Sequence, residues 1–121
     1  MGRKNILVVE DEEIARDVLI QALETLGFGA TGAVNGRHAL EQLAQHPVDL
    51  VLTDIYMPEM NGLELLKQIR DDGLSIPVIL ITGYDADEAR LKAEQYNAAA
   101  LLLKPFRLVQ LKQLLDTILT D

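Results

Sequence analysis

Val48-Asp49-Leu50-Val51-Leu52-Thr53-Asp54-Ile55-Tyr56-Met57-Pro58-Glu59-Met60-Asn61-Gly62 is the stretch that decides how this chain folds. Its first part is an apolar run rich in Val and Leu, which reads as a buried strand over residues 48–53. The run ends on a single acid, Asp54, and a loop signalled by Pro58 and Asn61-Gly62 follows at once. Asp is a favoured turn residue, so alone Asp54 reads as the start of that turn. In an open parallel sheet, however, ligands sit outside the carboxyl ends of the strands, which is where Asp54 falls.

Working outward, the same pattern recurs. Ile6-Leu7-Val8-Val9 is a short buried strand ending in Glu10-Asp11. A helix follows from Glu13, with Ile14, Val18, Ala22 and Leu26 at helical spacing and Ala15, Leu19 and Leu23 broadening the stripe. Gly27 stops it. Residues 28–34 form a weaker strand, diluted by Gly29 and Gly32. Asn35 caps a helix showing Ala39, Leu40 and Leu43, which Pro47 ends. Asn61 with Glu64 is a capping box for a third helix carrying Leu63, Leu66 and Ile69, with Gly73 beyond it. Pro77-Val78-Ile79-Leu80-Ile81-Thr82 is another apolar strand, and Asp85 with Glu88 again fits a capping box. The helix over residues 86–96 has the poorest apolar stripe. A fifth strand over residues 98–103 runs into Lys104-Pro105-Phe106, and the last helix carries Leu108, Leu111, Leu115 and Ile118.

Five strand-then-helix units with short connections predict one α/β domain over residues 1–121, a doubly wound parallel sheet covered on both faces. The 121 residues suffice for one domain with a real core. Nineteen acidic and eleven basic residues leave a net charge of -8, which argues against direct nucleic-acid binding. The absence of Cys excludes disulfides, thiolate metal sites and a cysteine nucleophile. The apolar run after the basic start is too short for a signal peptide, no stretch reaches membrane-span length, and Ile6 stands where myristoylation wants Ser or Thr. These readings lead to the expectation of a cytoplasmic protein without membrane contact.

A parallel sheet brings Glu10-Asp11, Asp54, Thr82 and Lys104 to one edge. Three carboxylates in one pocket repel unless a cation neutralises them. Oxygen donors without His or Cys favour a hard ion, Mg2+ before Zn2+, and Mg2+ commonly sits beside a phosphoryl group. Lys104 supplies a point positive charge suited to a phosphoryl oxygen, and the Thr82 hydroxyl can donate to another. Asp54, nearest the centre of the sheet, is then the best acceptor, forming an aspartyl-phosphate.

Over nearly its whole length the sequence resembles the receiver domain of two-component response regulators. The residues that carry the resemblance are Val8-Val9-Glu10-Asp11-Glu12, Asp54 with Met57-Pro58 and Asn61-Gly62, Pro77-Val78-Ile79 to Thr82, and Lys104-Pro105-Phe106. The resemblance implies a flavodoxin-like strand order of 2-1-3-4-5. It implies that Asp54 takes phosphate from a phosphohistidine on a sensor histidine kinase or phosphotransfer protein. Asp11 would bind Mg2+ directly, with Glu10 assisting through water and Tyr56 giving its backbone carbonyl. Thr82 would be the switch hydroxyl, Lys104 the phosphate-pairing amine, and the Lys104–Pro105 bond cis. The face formed by helix four, strand five and helix five would pass the signal to a downstream protein or effector domain, and is compatible with a phosphorylation-dependent homodimer. Such a domain catalyses its own phosphorylation and dephosphorylation but is not a multi-substrate enzyme.

The sequence departs from the family at Leu101, where many receivers carry an aromatic residue, so the coupled swing of a ring is not expected. Tyr56 and Tyr84 read either as rings screening the acceptor from water or as rings lying over the surface. His38 and His46 read as solvated positions, and Met57 and Met60 as packing residues. An Asp-nucleophile phosphatase would want a second Asp at position 56, which is Tyr56. A flavodoxin-like carrier would want a Ser/Thr/Gly-rich loop where Glu10-Asp11-Glu12-Glu13 stands. A phosphorylation-independent scaffold would not need the intact set of Asp11, Asp54, Thr82 and Lys104. The chain stops after the last helix, which fits a stand-alone regulator and equally a piece of a longer regulator or hybrid kinase.

Overall fold

The computed structural model describes residues 3–83 and 87–120. Strands β1 (Asn5–Val9), β2 (Gly29–Ala33), β3 (Leu50–Asp54), β4 (Val78–Thr82) and β5 (Ala100–Leu103) alternate with helices α1 (Glu13–Thr25), α2 (Gly36–Gln45), α3 (Gly62–Asp71), α4 (Asp87–Gln95) and α5 (Leu108–Ile118). All strand pairs are parallel and the order is β2-β1-β3-β4-β5, as the resemblance implied.

Side chains alternate across a strand, which explains why the central strands are apolar throughout. Ile6, Val8, Leu50, Leu52, Ile79 and Ile81 face one layer, where Leu23 of α1 and Leu111 and Leu115 of α5 cover them. Leu7, Val9, Val51, Val78 and Leu80 face the other, under Ala39 of α2, Leu65, Leu66 and Ile69 of α3, and Ala89 and Ala93 of α4. Met57 is buried in this second layer and Met60 packs at its margin, in keeping with the packing role expected of them.

Local signals hold where side chains close hydrogen bonds. Asn35 accepts from the His38 amide at 2.8 Å, and Asn61 with Glu64 forms the expected capping box. Gly27 and Gly73 follow their helices at φ +95° and +84°, a region that favours glycine. The expected capping box of Asp85 with Glu88, the helix start at Ala86 and the ring of Tyr84 lie outside the described residues.

Two expectations fail. On α1, Ile14 and Val18 are 80% and 59% exposed, and the inner stripe runs through the expected Leu19 and Leu23 together with Ile20 and Arg16. A charged residue heads that stripe, so the apolar pattern is displaced from the true inner face. His38 is not simply solvated: it is half-buried, its Nδ1 accepts from the Val34 amide at 3.1 Å, and its Nε2 lies 3.1 Å from the Gln42 amide nitrogen.

Arg70 is a further tie. Its guanidinium donates to the carbonyls of Leu74 and Ile76 beyond α3 (3.0 and 2.8 Å) and to those of Tyr96 and Asn97 beyond α4 (3.1 and 2.9 Å). It therefore joins the ends of two helices through groups that carry no sequence signal. Replacing it leaves several carbonyls without a donor, so Arg70→Met is expected to cost about 2–4 kcal/mol in urea unfolding. Ile14→Ser, at an exposed position, should stay within about 0.5 kcal/mol of wild type in the same measurement.

A candidate phosphoacceptor site at the sheet edge

The parallel register builds the site. Val9 pairs with Thr53, Asp54 with Ile81, and Thr82 with Leu103. Glu10, Asp54, Thr82 and Lys104 thus lie at neighbouring strand ends, and the Lys104 amide continues the ladder to the Thr82 carbonyl at 2.8 Å.

Asp54 is held from several sides. Lys104 Nζ stands 3.5 Å from Asp54 Oδ2, with the Asp54 side chain only 14% exposed and that of Lys104 43%. The Tyr56 amide donates to Asp54 Oδ1 at 3.4 Å. The Thr53 hydroxyl donates to the Asp54 carbonyl at 3.0 Å. Gly62 lies against the same carbonyl: a Cβ there would stand 2.3 Å from Asp54 O and 2.9 Å from Ile55 Cα. The Gly62 amide also donates to Ile55 O at 2.7 Å. Only glycine lets α3 begin this close to the strand end, so Asn61-Gly62 does more than turn the chain.

Glu10 is 2% exposed. Burial pushes its carboxyl up to about 7, aided by the carboxyls of Asp11 and Asp54 within hydrogen-bonding reach and opposed by the Glu12 amide. That amide donates to Glu10 Oε1 at 3.1 Å. Thr82 is fully buried at the end of β4. Tyr56 is 52% exposed and Leu101 is half-buried on β5. The Lys104–Pro105 peptide is cis.

Glu10, Asp11 and Asp54 offer oxygen donors of the kind a hard divalent cation takes. Among the described residues no three His, Cys, Asp or Glu side chains form a metal site by themselves.

The response regulator receiver domain profile matches residues 6–116. The chain belongs to the response regulator receiver domain family. It is 38% identical over 105 residues to the response regulator receiver protein CpdR of Brucella abortus, covering 87% of this chain and 88% of that one. It is 39% identical to the transcriptional regulatory protein CrdR of Helicobacter pylori, covering 98% of this chain and 56% of that one. The chemotaxis protein CheY4 of Vibrio cholerae superposes with a TM-score of 0.91 at 26% identity, covering 98% of this chain and all of that one. The receiver spans only part of other relatives: 46% of a Picosynechococcus regulatory protein and 23% of AtoC of Escherichia coli. Among the described residues no helix is long and apolar enough to cross a membrane.

Sequence reasoning missed Arg16, whose Nη1 donates to the Glu10 carbonyl at 2.8 Å. Its position, three and four residues before Leu19 and Ile20 on the inner stripe, is the signal that was available.

Glu10 gives a pH dependence. The folded receiver keeps this proton to about 7, whereas the unfolded chain releases it near 4.5. Between those values the folded state binds more protons, so this group's contribution to stability falls as pH rises. In urea unfolding with EDTA, wild type should lose roughly 2 kcal/mol relative to Glu10→Gln between pH 5 and 7.5. A difference that stays flat with pH would contradict the assignment. Gly62→Ala should destabilise by about 1–3 kcal/mol, because backbone, not a movable side chain, occupies the space.

Proposed function

We propose that this receiver takes a phosphoryl group from a phosphohistidine onto Asp54. The observation that carries the reading is a largely buried Asp54 carboxylate with Lys104 Nζ at 3.5 Å and with the Glu10 carboxyl, itself beside Asp11, within hydrogen-bonding reach. An Asp54 oxygen attacks phosphorus, the P–N bond to the donor imidazole breaks, and the imidazole leaves with the electron pair. Lys104 pairs with a phosphoryl oxygen, moving from the carboxylate to the group that replaces its charge. The Thr82 hydroxyl turns to donate to a second phosphoryl oxygen. Asp11 and Asp54, the Tyr56 carbonyl and, through water, Glu10 would hold Mg2+, which when bound supplies the positive charge that the phosphoryl oxygens meet.

The donor is a sensor histidine kinase or phosphotransfer protein of the cytoplasm. The output is a change in the α4/β5/α5 face, read by a downstream protein, an effector domain or a second copy of the chain. Apart from its own phosphorylation and dephosphorylation the domain turns over no substrate. The match to 56% of a transcriptional regulator supports linkage to an effector in relatives of that kind.

Incubation with Mg2+ and acetyl phosphate tests the reading. Wild type should gain the mass of one phosphoryl group, and neither Asp54→Asn nor wild type in EDTA should do so. No gain, under conditions that label another receiver, would leave a phosphorylation-independent scaffold as the better account. The exposed Tyr56 ring screens the acyl phosphate from water in this reading, so phosphorylated Tyr56→Asn should decay faster than wild type. Equal or slower decay would remove that role.

A further inference from the structure

Arg16 has no part in the phosphoryl chemistry above, yet it occupies an inner position on α1. Its stem crosses β2 at Gly32: a Cβ there would meet Arg16 Cδ at 2.9 Å, Ile20 Cδ1 at 3.2 Å and Arg16 Cγ at 3.4 Å. The absent side chain at Gly32 is what opens this path. From it, Nη1 reaches the Glu10 carbonyl at 2.8 Å. The Glu10 amide donates to Ala33 O at 3.1 Å, and the Glu12 amide to Glu10 Oε1 at 3.1 Å. Arg16 thus holds the Glu10–Asp11 peptide while the peptides on either side of it are tied through their own amides, so the backbone that carries both acidic side chains is held at three successive units.

We infer that Arg16, admitted by Gly32, is a positioning residue that aims the Glu10 and Asp11 carboxylates and so sets the affinity of the sheet edge for a divalent cation. The inference rests on the metal reading made above. It also has a sign that separates it from plain electrostatics. A guanidinium beside an acidic pair repels a cation, so removing its charge alone tightens Mg2+ binding. Removing an orienting contact weakens it, by about tenfold or more where such partners have been deleted from metal sites.

The experiment is calorimetric titration of the unphosphorylated protein with Mg2+, for wild type, Arg16→Met, Arg16→Lys and Gly32→Ala. The expected result is a Kd raised about tenfold in Arg16→Met and in the charge-neutral Gly32→Ala, with Arg16→Lys between them and wild type. In the same variants, hydrogen exchange at the Glu12 amide should quicken without metal, because its acceptor is no longer held. A purely structural role would lower the melting temperature but leave the Kd of the folded protein and the Glu12 amide alone. An unchanged or lowered Kd in Arg16→Met overturns the inference, as does an unchanged Kd in Gly32→Ala. Should Arg16→Met fail to fold, Gly32→Ala and Arg16→Lys decide the question. Failure of wild type itself to bind Mg2+ would show before any variant is compared and would remove the metal reading together with this one.

Discussion

Once backbone hydrogen bonds pair Val9 with Thr53, Asp54 with Ile81 and Thr82 with Leu103, the strand ends share one edge. Nothing about the site has to be arranged separately. β1 and β5 contribute the residue that follows their last paired position, Glu10 and Lys104, while β3 and β4 contribute their last paired residues, Asp54 and Thr82. The register is itself fixed by burial. A slip by one residue would turn Leu7, Val51 and Leu80 toward the opposite layer and dislocate both cores at once.

The same register forces like charges together. Glu10 is almost wholly buried beside two other acids, and its carboxyl is correspondingly hard to ionise. This opposes folding, and the nearby Lys104 amine is paired with Asp54 and remains substantially in solvent. A fold whose hydrophobic layers were the whole story would not place acids there. In the proposed function, the edge is where stability is given up for chemistry.

Much of this was legible in the sequence because its signals were redundant. The runs of β1, β3 and β4 are apolar on both faces, and each ends on a polar residue, so strands and site were marked by the same change of composition. Asn35 and Asn61 announced their helices through side-chain chemistry that the structure contains. Arg70 was illegible, and Arg16 marked only by its place on the helix, for a physical reason. Both act on backbone carbonyls, which every residue carries, and their partners leave no trace in composition. Arg16 also masked the true inner face of α1, making Ile14 and Val18 look like core. Gly32 diluted β2 as a strand signal for the related reason that it leaves room for that arginine.

Arg70 has a mechanical consequence for α4. The guanidinium grips the chain just past the helix's C-terminal end, and only Ala89 and Ala93 of its nine residues are buried. A helix of nine residues is about 13 Å long. Tilting it by about 10° around the held end would carry the far end through roughly 2 Å, while the gripped carbonyls barely shift. Its buried contacts are those of two small alanines, so α4 is fastened chiefly at its C-terminal end, where one side chain ties it to α3.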